Sequence, residues 1–326
     1  MRALRAERET WPLPGTFRIS RGARTESVVV VVEIEDGAHR GRGECFPYAR
    51  YGESVESVLQ QIDDVRPRVQ ADLSRQELAN LLPPGAARNA IDCALWDLEA
   101  KATGQRVWDL AGLPAPGVVT TAYTLGLDAP AAMAVAAREA ADRPLLKLKL
   151  GGVDDIERVA AVHEAAPAAN IVVDANEAWT PDMVVPLSRA LAGLGVTMIE
   201  QPLPADADQA LADIDHPVPI CADESCHTAA DVPTLAGRYD IVNVKLDKTG
   251  GLSEAIDLVT TAQAAGLALM VGCMVGTSLA MAPATLIAGA ARYVDLDGPL
   301  LLARDRHPGL RYDGSSLYPP TPEVWG

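Results

Sequence analysis

The chain has 326 residues, 48% of them hydrophobic and 22% charged, which is typical of a globular protein with either one barrel-sized domain or two domains. Its formal net charge of −16 argues against binding to nucleic acid or to an anionic membrane surface. The N-terminal segment lacks a continuous apolar stretch, and no run approaches about 18 apolar residues, so we expect neither export nor membrane insertion. The five scattered cysteines are typical of reduced thiols and favour a cytoplasmic location.

The first 115 residues predict an α+β unit. We expect two strands followed by three helices, at 27–35, 39–46, 54–63, 75–81 and 85–102. We assign residues 1–115 to a separate first domain, and we expect the C-terminal segment 299–326 to complete it by packing back onto it, or to close the edge of the second domain.

From about residue 117, short apolar runs alternate with longer amphipathic ones. Eight strands are expected at 118–125, 145–150, 170–176, 196–201, 219–224, 240–246, 267–272 and 291–297. Helical patterns lie between several of them, at 129–142, 153–166, 181–194 and 252–265. This repeat predicts an α/β fold, a (β/α)8-type (TIM-like) barrel over 116–298. An open doubly wound sheet is the alternative, but its glycine-rich dinucleotide fingerprint is absent.

Lysine is rare in this chain, and its positions are informative. Only five of the 28 basic residues are lysine, and Lys147, Lys149, Lys245 and Lys248 lie at or near strand ends. Arginine keeps its proton in proteins, whereas a lysine near other cations can act as a neutral base. The second and sixth strands of an eight-stranded barrel lie on opposite sides, so Lys149 and Lys245 are predicted to face each other. Lys248 is expected on the surface or behind the site, without a catalytic role.

Carboxylates end the strands that lie between these lysines. Asp174, Glu200 and Asp223 end the third, fourth and fifth strands and offer three hard oxygen ligands, a set that suits Mg²⁺. On the eighth strand, Asp295 and Asp297 share one face and are expected across the pocket from the metal.

Two further residues are predicted to support the metal ligands. Asn176 shares a face with Asp174 and is expected to orient a ligand or a lysine. Glu224 follows Asp223, so strand alternation points it to the other side, and we expect it to act as a partner of the ligands.

This arrangement predicts the removal of a proton next to a carboxylate. A divalent cation, aided by Lys147, would stabilise the resulting enediolate. With Lys149 on one face and Lys245 on the other, a proton removed from one side can be returned to the opposite side. The predicted chemistry is racemisation or epimerisation.

The order of these residues also resembles a known family. The series KxK, DxN, E, DE, K and DxD is similar to the enolase superfamily, in its muconate-lactonizing subgroup. The final DxD resembles the dipeptide epimerases, in particular the L-Ala-D/L-Glu epimerases. Segments across the whole chain carry the likeness, among them GECFPYARYGES, VDANEAW, EQPLP, ICADESCHT and VNVKLDKTGG.

The resemblance implies a role for each site residue. It implies that Lys149 and Lys245 are the acid/base catalysts and that one Mg²⁺ per site is held by the carboxylates of the third to fifth strands. The other implied substrate contacts are Lys147 to the substrate carboxylate, Asp295 and Asp297 to the dipeptide α-ammonium, and Thr124 beside them. The first domain, residues 1–115, would be a capping domain whose mobile loop near residues 16–26 closes the pocket. Arg24 in this loop would pair with the glutamate side chain of the substrate.

The favoured function is therefore Mg²⁺-dependent epimerisation of a dipeptide, L-Ala-D/L-Glu, at the α-carbon of its C-terminal residue. An o-succinylbenzoate synthase or muconate cycloisomerase would share the lysines and metal ligands. The DxD argues against these enzymes, because a substrate without an ammonium group would leave two carboxylates unpaired. A non-catalytic binding protein on the same barrel would be expected to have lost a lysine or a metal ligand, and none is lost here. An epimerase for dipeptides with a hydrophobic second residue and assembly into a homo-oligomer stay open.

Overall fold

The computed structural model describes residues 2–326, which begin with an antiparallel sheet packed against helices. The sheet runs in the order β1 (Ala3–Ile19), β2 (Gly22–Asp36) and β3 (His39–Cys45). The helices are α1 (Val55–Gln70), α2 (Arg75–Leu81), α3 (Ala86–Thr103) and α4 (Val107–Leu110). Both predicted strands and all three predicted helices are confirmed, whereas β1 was not predicted. Capping boxes at Ser54 and Ser74 fix the starts of α1 and α2.

The sheet approaches α3 so closely that β3 has no room for side chains at two positions. A Cβ atom on Gly41 would lie 2.0 Å from the carbonyl oxygen of Ala94, and one on Gly43 would lie 2.1 Å from that of Ala90. These glycines let the β3 main chain lie directly on the helix, and the cap is built around that contact.

The second part of the chain is a parallel barrel, as the sequence predicts. Its eight strands follow one another in chain order. They are β5 (Tyr123–Leu125), β6 (Leu145–Lys149), β7 (Asn170–Asp174), β8 (Val196–Glu200), β9 (Ile220–Ala222), β10 (Ile241–Val244), β11 (Ala268–Gly272) and β12 (Tyr293–Asp295). The main-chain N–H of Ala122 donates to the carbonyl oxygen of Val294 at 2.8 Å, which joins the first and last strands. The predicted strand 118–125 is divided, because β4 (Val119–Thr120) joins a separate sheet with β13 (Tyr312–Asp313) and β14 (Ser316–Leu317).

The helices around the barrel are less regular than its strands. They are α5 (Pro130–Glu139), α6 (Asp155–Ala165), α7 (Pro181–Gly193), α8 (Val232–Leu235), α9 (Leu246–Thr249), α10 (Leu252–Ala264) and α11 (Ser278–Ala288). Between β8 and β9 the chain forms only a 3-10 turn at Gln209–Asp213, so a regular eightfold β/α repeat is not observed. Among the described residues, none of the helices combines the length and apolar character that crossing a bilayer requires.

The C-terminal segment contacts the cap. Arg306 lies 2.8 Å from the buried carboxylate of Glu44, and the indole N–H of Trp325 donates to the carbonyl oxygens of Arg42 and Cys93, both at 3.1 Å. We propose, from these contacts, that the cap comprises residues 1–115 completed by 299–326 and that the barrel comprises residues 116–298.

The β3–α3 contact gives a stability prediction. Gly43→Ala would overpack the contact, and we expect the free energy of unfolding to fall by about 1–3 kcal/mol. Gly15→Ala is the matched control, because no atom lies within 4 Å of a Cβ there, and its change should stay within about 0.5 kcal/mol. Urea denaturation of both variants measures the difference. Equal stabilities would contradict the close contact.

Candidate active site

A cavity of about 70 Å³ lies between the cap and the C-terminal ends of the barrel strands. Its barrel wall contains Lys147, Lys149, Lys245 and most of the strand-end carboxylates. Its cap wall is formed by Phe17, Ile19, Arg21, Arg24 and Tyr48. Most of the residues singled out from the sequence therefore converge on one cavity, which the cap covers.

Three buried carboxylates form the floor of this site. Asp174 ends β7, Glu200 ends β8, and Asp223 follows β9, and one oxygen from each lies within 4.8 Å of the other two. Burial, together with the charge of Asp174, raises the pKa of the Glu200 carboxyl above its usual range. Such a concentration of negative charge on hard oxygen donors fits a divalent cation such as Mg²⁺.

Two lysines flank this triad from opposite sides of the barrel. Lys149 on β6 places its Nζ 2.6 Å from Asp174 Oδ2, and Lys245, directly after β10, places its Nζ 2.7 Å from Asp223 Oδ2. Four positions separate β6 and β10 in the eight-stranded order. Burial disfavours the charged form of Lys245, but the neighbouring carboxylates, first Asp223 and then Glu200, together outweigh it and raise the pKa of this lysine.

Lys147 joins the two sides of the pocket. Its Nζ lies 2.6 Å from Glu200 Oε2 and 2.7 Å from Asp295 Oδ2, and the side chain is 1% exposed. Burial opposes its charge, but Asp295 and Glu200 prevail and raise the pKa of this lysine well above its usual range. The ammonium group of Lys147 alone thus lies between Asp295 and the triad carboxylate of Glu200, so the pocket is narrow at this point.

Asp295 and Asp297 form a second acidic pair with Thr124. The main-chain N–H of Thr124 donates to Asp297 Oδ2 at 2.7 Å, and its hydroxyl lies 3.5 Å from Asp295 Oδ1. Burial and the neighbouring charge of Asp295 raise the pKa of Asp297 to about 7. A cationic partner would relieve this repulsion.

The contacts of Asn176 and Glu224 differ from those expected of residues on strands. β7 ends at Asp174 and β9 at Ala222, so strand alternation does not apply beyond them. Asn176 contacts Asp174 Oδ1 through its main-chain N–H, at 2.9 Å. Glu224 lines the same cavity as Asp223, so the prediction that it points to the other side is wrong. Burial and the charge of Asp223 raise the pKa of Glu224 to about 7.

Lys248 was expected on the surface or behind the site, and the surface position is wrong. It is 1% exposed, and its Nζ lies 2.7 Å from Asp223 Oδ1. The same amine donates to the carbonyl oxygen of Asn243 at 3.0 Å. Because α9 begins directly after Lys245, the spacing of three residues places both lysines on the same carboxylate. That spacing is the sequence signal that could have located it.

Arg21 is a site residue that the sequence reasoning missed. It lies in the turn between β1 and β2, and its guanidinium donates to the Tyr48 hydroxyl at 2.9 Å and to the carbonyl oxygen of Asn176 at 2.8 Å. It also forms ion pairs with Glu177 at 3.0 Å and Glu224 at 2.5 Å. Arg21 therefore fastens the tip of the cap to the barrel.

Residues 16–26 form the tip of a β-hairpin, so the expectation of a loop is wrong. Arg24 lies in this hairpin with its guanidinium 4.9 Å from the ring centre of Phe46. Within residues 2–326 no carboxylate forms an ion pair with Arg24. Burial, and then the charge of Arg21, lower the pKa of Arg24. A cation so placed favours an anionic partner.

The two parts of the chain match described families. Residues 1–112 match the mandelate racemase / muconate lactonizing enzyme N-terminal domain, and residues 131–320 match the enolase C-terminal domain-like family. A cap over a barrel with lysines and carboxylates at its strand ends is consistent with both matches. The chain belongs to the enolase superfamily.

The relatives that it matches include epimerases and a racemase. The chain is 48% identical to an L-Ala-D/L-Glu epimerase of Escherichia coli K12, over 98% of this chain and all of the relative. It is 46% identical to an N-acetyl-D-glutamate racemase of Pseudoalteromonas, over 91% and 95% of the two chains. It is also similar to an enolase family member from Agrobacterium tumefaciens with homology to dipeptide epimerases, solved with sodium and L-Ala-L-Glu. That match has a TM-score of 0.98 and 52% identity and covers both chains completely.

The triad gives a prediction about stability. Mg²⁺ at 100 times its dissociation constant should raise the free energy of unfolding by about 2.7 kcal/mol, because only the folded triad binds it. Asp174→Asn should lose most of this gain, whereas Asp142→Asn, at an exposed position, should keep it. Thermal melts with EDTA and with Mg²⁺ measure both effects. An undiminished gain in Asp174→Asn would contradict the triad as the cation site.

Proposed function

We propose that this protein is a Mg²⁺-dependent dipeptide epimerase that inverts the α-carbon of the C-terminal residue, with L-Ala-D/L-Glu as its favoured substrate pair. The observation that carries the proposal is the placement of Lys149 and Lys245 on opposite sides of a buried carboxylate triad. One amine on each face of a bound substrate is what a two-base inversion needs.

The residues divide the work of proton transfer between them. Mg²⁺ held by Asp174, Glu200 and Asp223 would supply positive charge that acidifies the α-proton of the substrate. Lys149 takes the proton from one face as a neutral amine, and the ammonium of Lys245 delivers a proton to the other face. In the reverse direction the two lysines exchange roles.

Lys147 has a different role from the other two lysines. Its ammonium is almost completely buried and bridges Glu200 and Asp295, which suits an electrostatic group. It places this charge beside the substrate carboxylate as the enediolate forms. Its ion pairs with Glu200 and Asp295 hold the amine in place, so that it does not move between the two faces of the substrate.

The acidic pair favours a substrate with a free ammonium group. Asp295 and Asp297, held by Thr124, would bind the α-ammonium of the dipeptide, which relieves the repulsion between them. An N-acylated glutamate, like the substrates of cycloisomerases and o-succinylbenzoate synthases, has no such cation. The pair therefore supports a dipeptide over these alternatives.

The two pocket arginines have separate roles. Arg21 is engaged by Glu177 and Glu224, so it has no free edge for a substrate. Arg24 lines the cavity with an uncommitted guanidinium, which suits bidentate contact with a carboxylate. We therefore assign Arg24 to the side chain of the second residue, and this supports glutamate over a hydrophobic residue there.

The proposal includes a cytoplasmic location. All five cysteines are free thiols, and four of them are buried. Free thiols are typical of reducing compartments.

The two-base mechanism is tested by proton exchange in D₂O with Mg²⁺ and each epimer of L-Ala-Glu. The wild type should incorporate deuterium at the glutamate α-carbon and interconvert the epimers. Lys245→Ala should lose interconversion and exchange only the epimer whose α-proton faces Lys149, and Lys149→Ala should exchange only the other. Lys101→Ala, outside the pocket, should behave as the wild type. NMR follows deuterium content, and chiral chromatography follows inversion. Unchanged inversion in Lys245→Ala would refute the mechanism.

The role of Arg24 is tested by comparing substrates. Arg24→Ala should lower kcat/KM for L-Ala-L-Glu by about 10–100-fold, the usual loss for one charge-assisted contact, and should spare or improve L-Ala-L-Leu. Arg18→Ala, an exposed position on the same hairpin, should change neither value. An equal loss with both dipeptides would show that Arg24 only supports the cap. Preference of the wild type for N-acetyl-D-glutamate would overturn the assignment of the acidic pair.

A further inference from the structure

We infer that Gln201 is the positioning residue that holds the three metal-binding carboxylates in register, an inference that rests on the proposed metal site. Gln201 directly follows Glu200 and is fully buried. Its carbonyl oxygen accepts the main-chain N–H of Glu177 at 2.9 Å, and its side-chain Oε1 accepts that of Asp223 at 2.8 Å. One residue thus ties together the ends of β7, β8 and β9, each of which supplies one carboxylate of the triad.

The main chain at Gln201 adopts a conformation that non-glycine residues seldom use. Its φ is +35°, in the left-handed region, and the residues it faces beyond β7, Asn176 and Glu177, have φ values of +45° and +66°. Such backbone conformations persist only where surrounding contacts enforce them. The link between Gln201 and Glu177 is therefore part of a constrained structure beside the triad.

The amide group of Gln201 is fully engaged by the protein. Its Oε1 also accepts the main-chain N–H of Ser225 at 3.2 Å. Its Nε2 contacts the Leu203 carbonyl oxygen at 2.9 Å, the Ser225 hydroxyl at 2.8 Å and the Tyr239 hydroxyl at 3.0 Å. Tyr239 is held in turn by Asp208 at 2.7 Å. Because no donor or acceptor remains free, Gln201 acts through the residues it holds and not on the substrate.

The consequence concerns Asp223. This residue lies beyond the last residue of β9, so strand pairing does not fix its main chain, and Gln201 supplies a bond to its N–H. Loss of that bond would let Asp223 drift relative to Glu200. Outer partners of metal ligands typically contribute 10–100-fold to metal affinity, and we expect Gln201 to contribute in that range.

The test measures metal affinity of the stripped protein by calorimetric titration with Mg²⁺. Gln201→Ala should weaken binding about 10–100-fold, and Tyr239→Phe, which removes one anchor of the amide, should weaken it several-fold. The matched control is Asp240→Ala. Asp240 Oδ2 accepts the N–H of Ile220 at 2.8 Å, so this variant removes the same kind of bond at the opposite end of β9. The Asp240→Ala variant should melt at a lower temperature than the wild type but bind Mg²⁺ with the same affinity.

A second readout is independent of the metal. Hydrogen exchange of the metal-free protein should be faster at the amides of Asp223 and Ser225 in Gln201→Ala than in the wild type, with no change there in Asp240→Ala.

The outcomes separate the two proposals. A wild type that binds no Mg²⁺ would overturn the proposed metal site. A wild type that binds Mg²⁺ and a Gln201→Ala variant of equal affinity would overturn the role of Gln201 alone. If Gln201→Ala does not fold, the Tyr239→Phe variant provides the test instead. A Tyr239→Phe protein that folds and binds Mg²⁺ with wild-type affinity would also overturn the role of Gln201.

Discussion

The ammonium of Lys147, held between Glu200 and Asp295, is the interaction on which the rest of the pocket depends. Burying several carboxylates in one place is unfavourable unless cations compensate them, and removing one partner of a buried pair typically costs about 3–5 kcal/mol. Lys147 lies where the carboxylates of β8 and β12 would otherwise repel each other. Lys149 and Lys245 compensate the remaining triad oxygens from the two sides. The ion pairs that stabilise the pocket therefore also hold Lys149 and Lys245 on its two opposite sides.

The barrel and the cap contribute different parts of the pocket. Every residue assigned to proton transfer or metal binding belongs to the barrel, whereas Arg24 comes from the hairpin of the cap. Contacts at Glu177 fix the cap in place, since this carboxylate accepts Arg50 in a bidentate pair at 2.7 and 2.8 Å as well as Arg21. Substrate preference can therefore change through the cap without disturbing the barrel carboxylates.

The sequence was most informative where regular repeats decide the structure. Apolar runs located all eight barrel strands, and the ends of parallel strands converge, so the triad and its lysines could be predicted. β1 was missed because Pro12 and Pro14 interrupt it and much of it is exposed, which leaves no apolar run. Glu224 and Lys248 were misplaced because β9 and β10 end before them. Arg21 could not be found, since its partners lie up to 203 positions away in the chain.

One feature of the barrel bears on how its specificity can vary. β5 and β12 meet through a single main-chain bond between Ala122 and Val294, whereas neighbouring strands elsewhere share ladders of paired residues. Thr124, Asp295 and Asp297 lie along this seam, where side chains supply the other links, among them the bond from the main-chain N–H of Thr124 to Asp297 Oδ2 at 2.7 Å. The two lysines proposed for proton transfer lie on or directly after strands that are held by main-chain ladders. Substitutions at the seam therefore act on side-chain links around the part of the pocket assigned to the first residue of the dipeptide, and leave the main-chain pairing of the other strands intact.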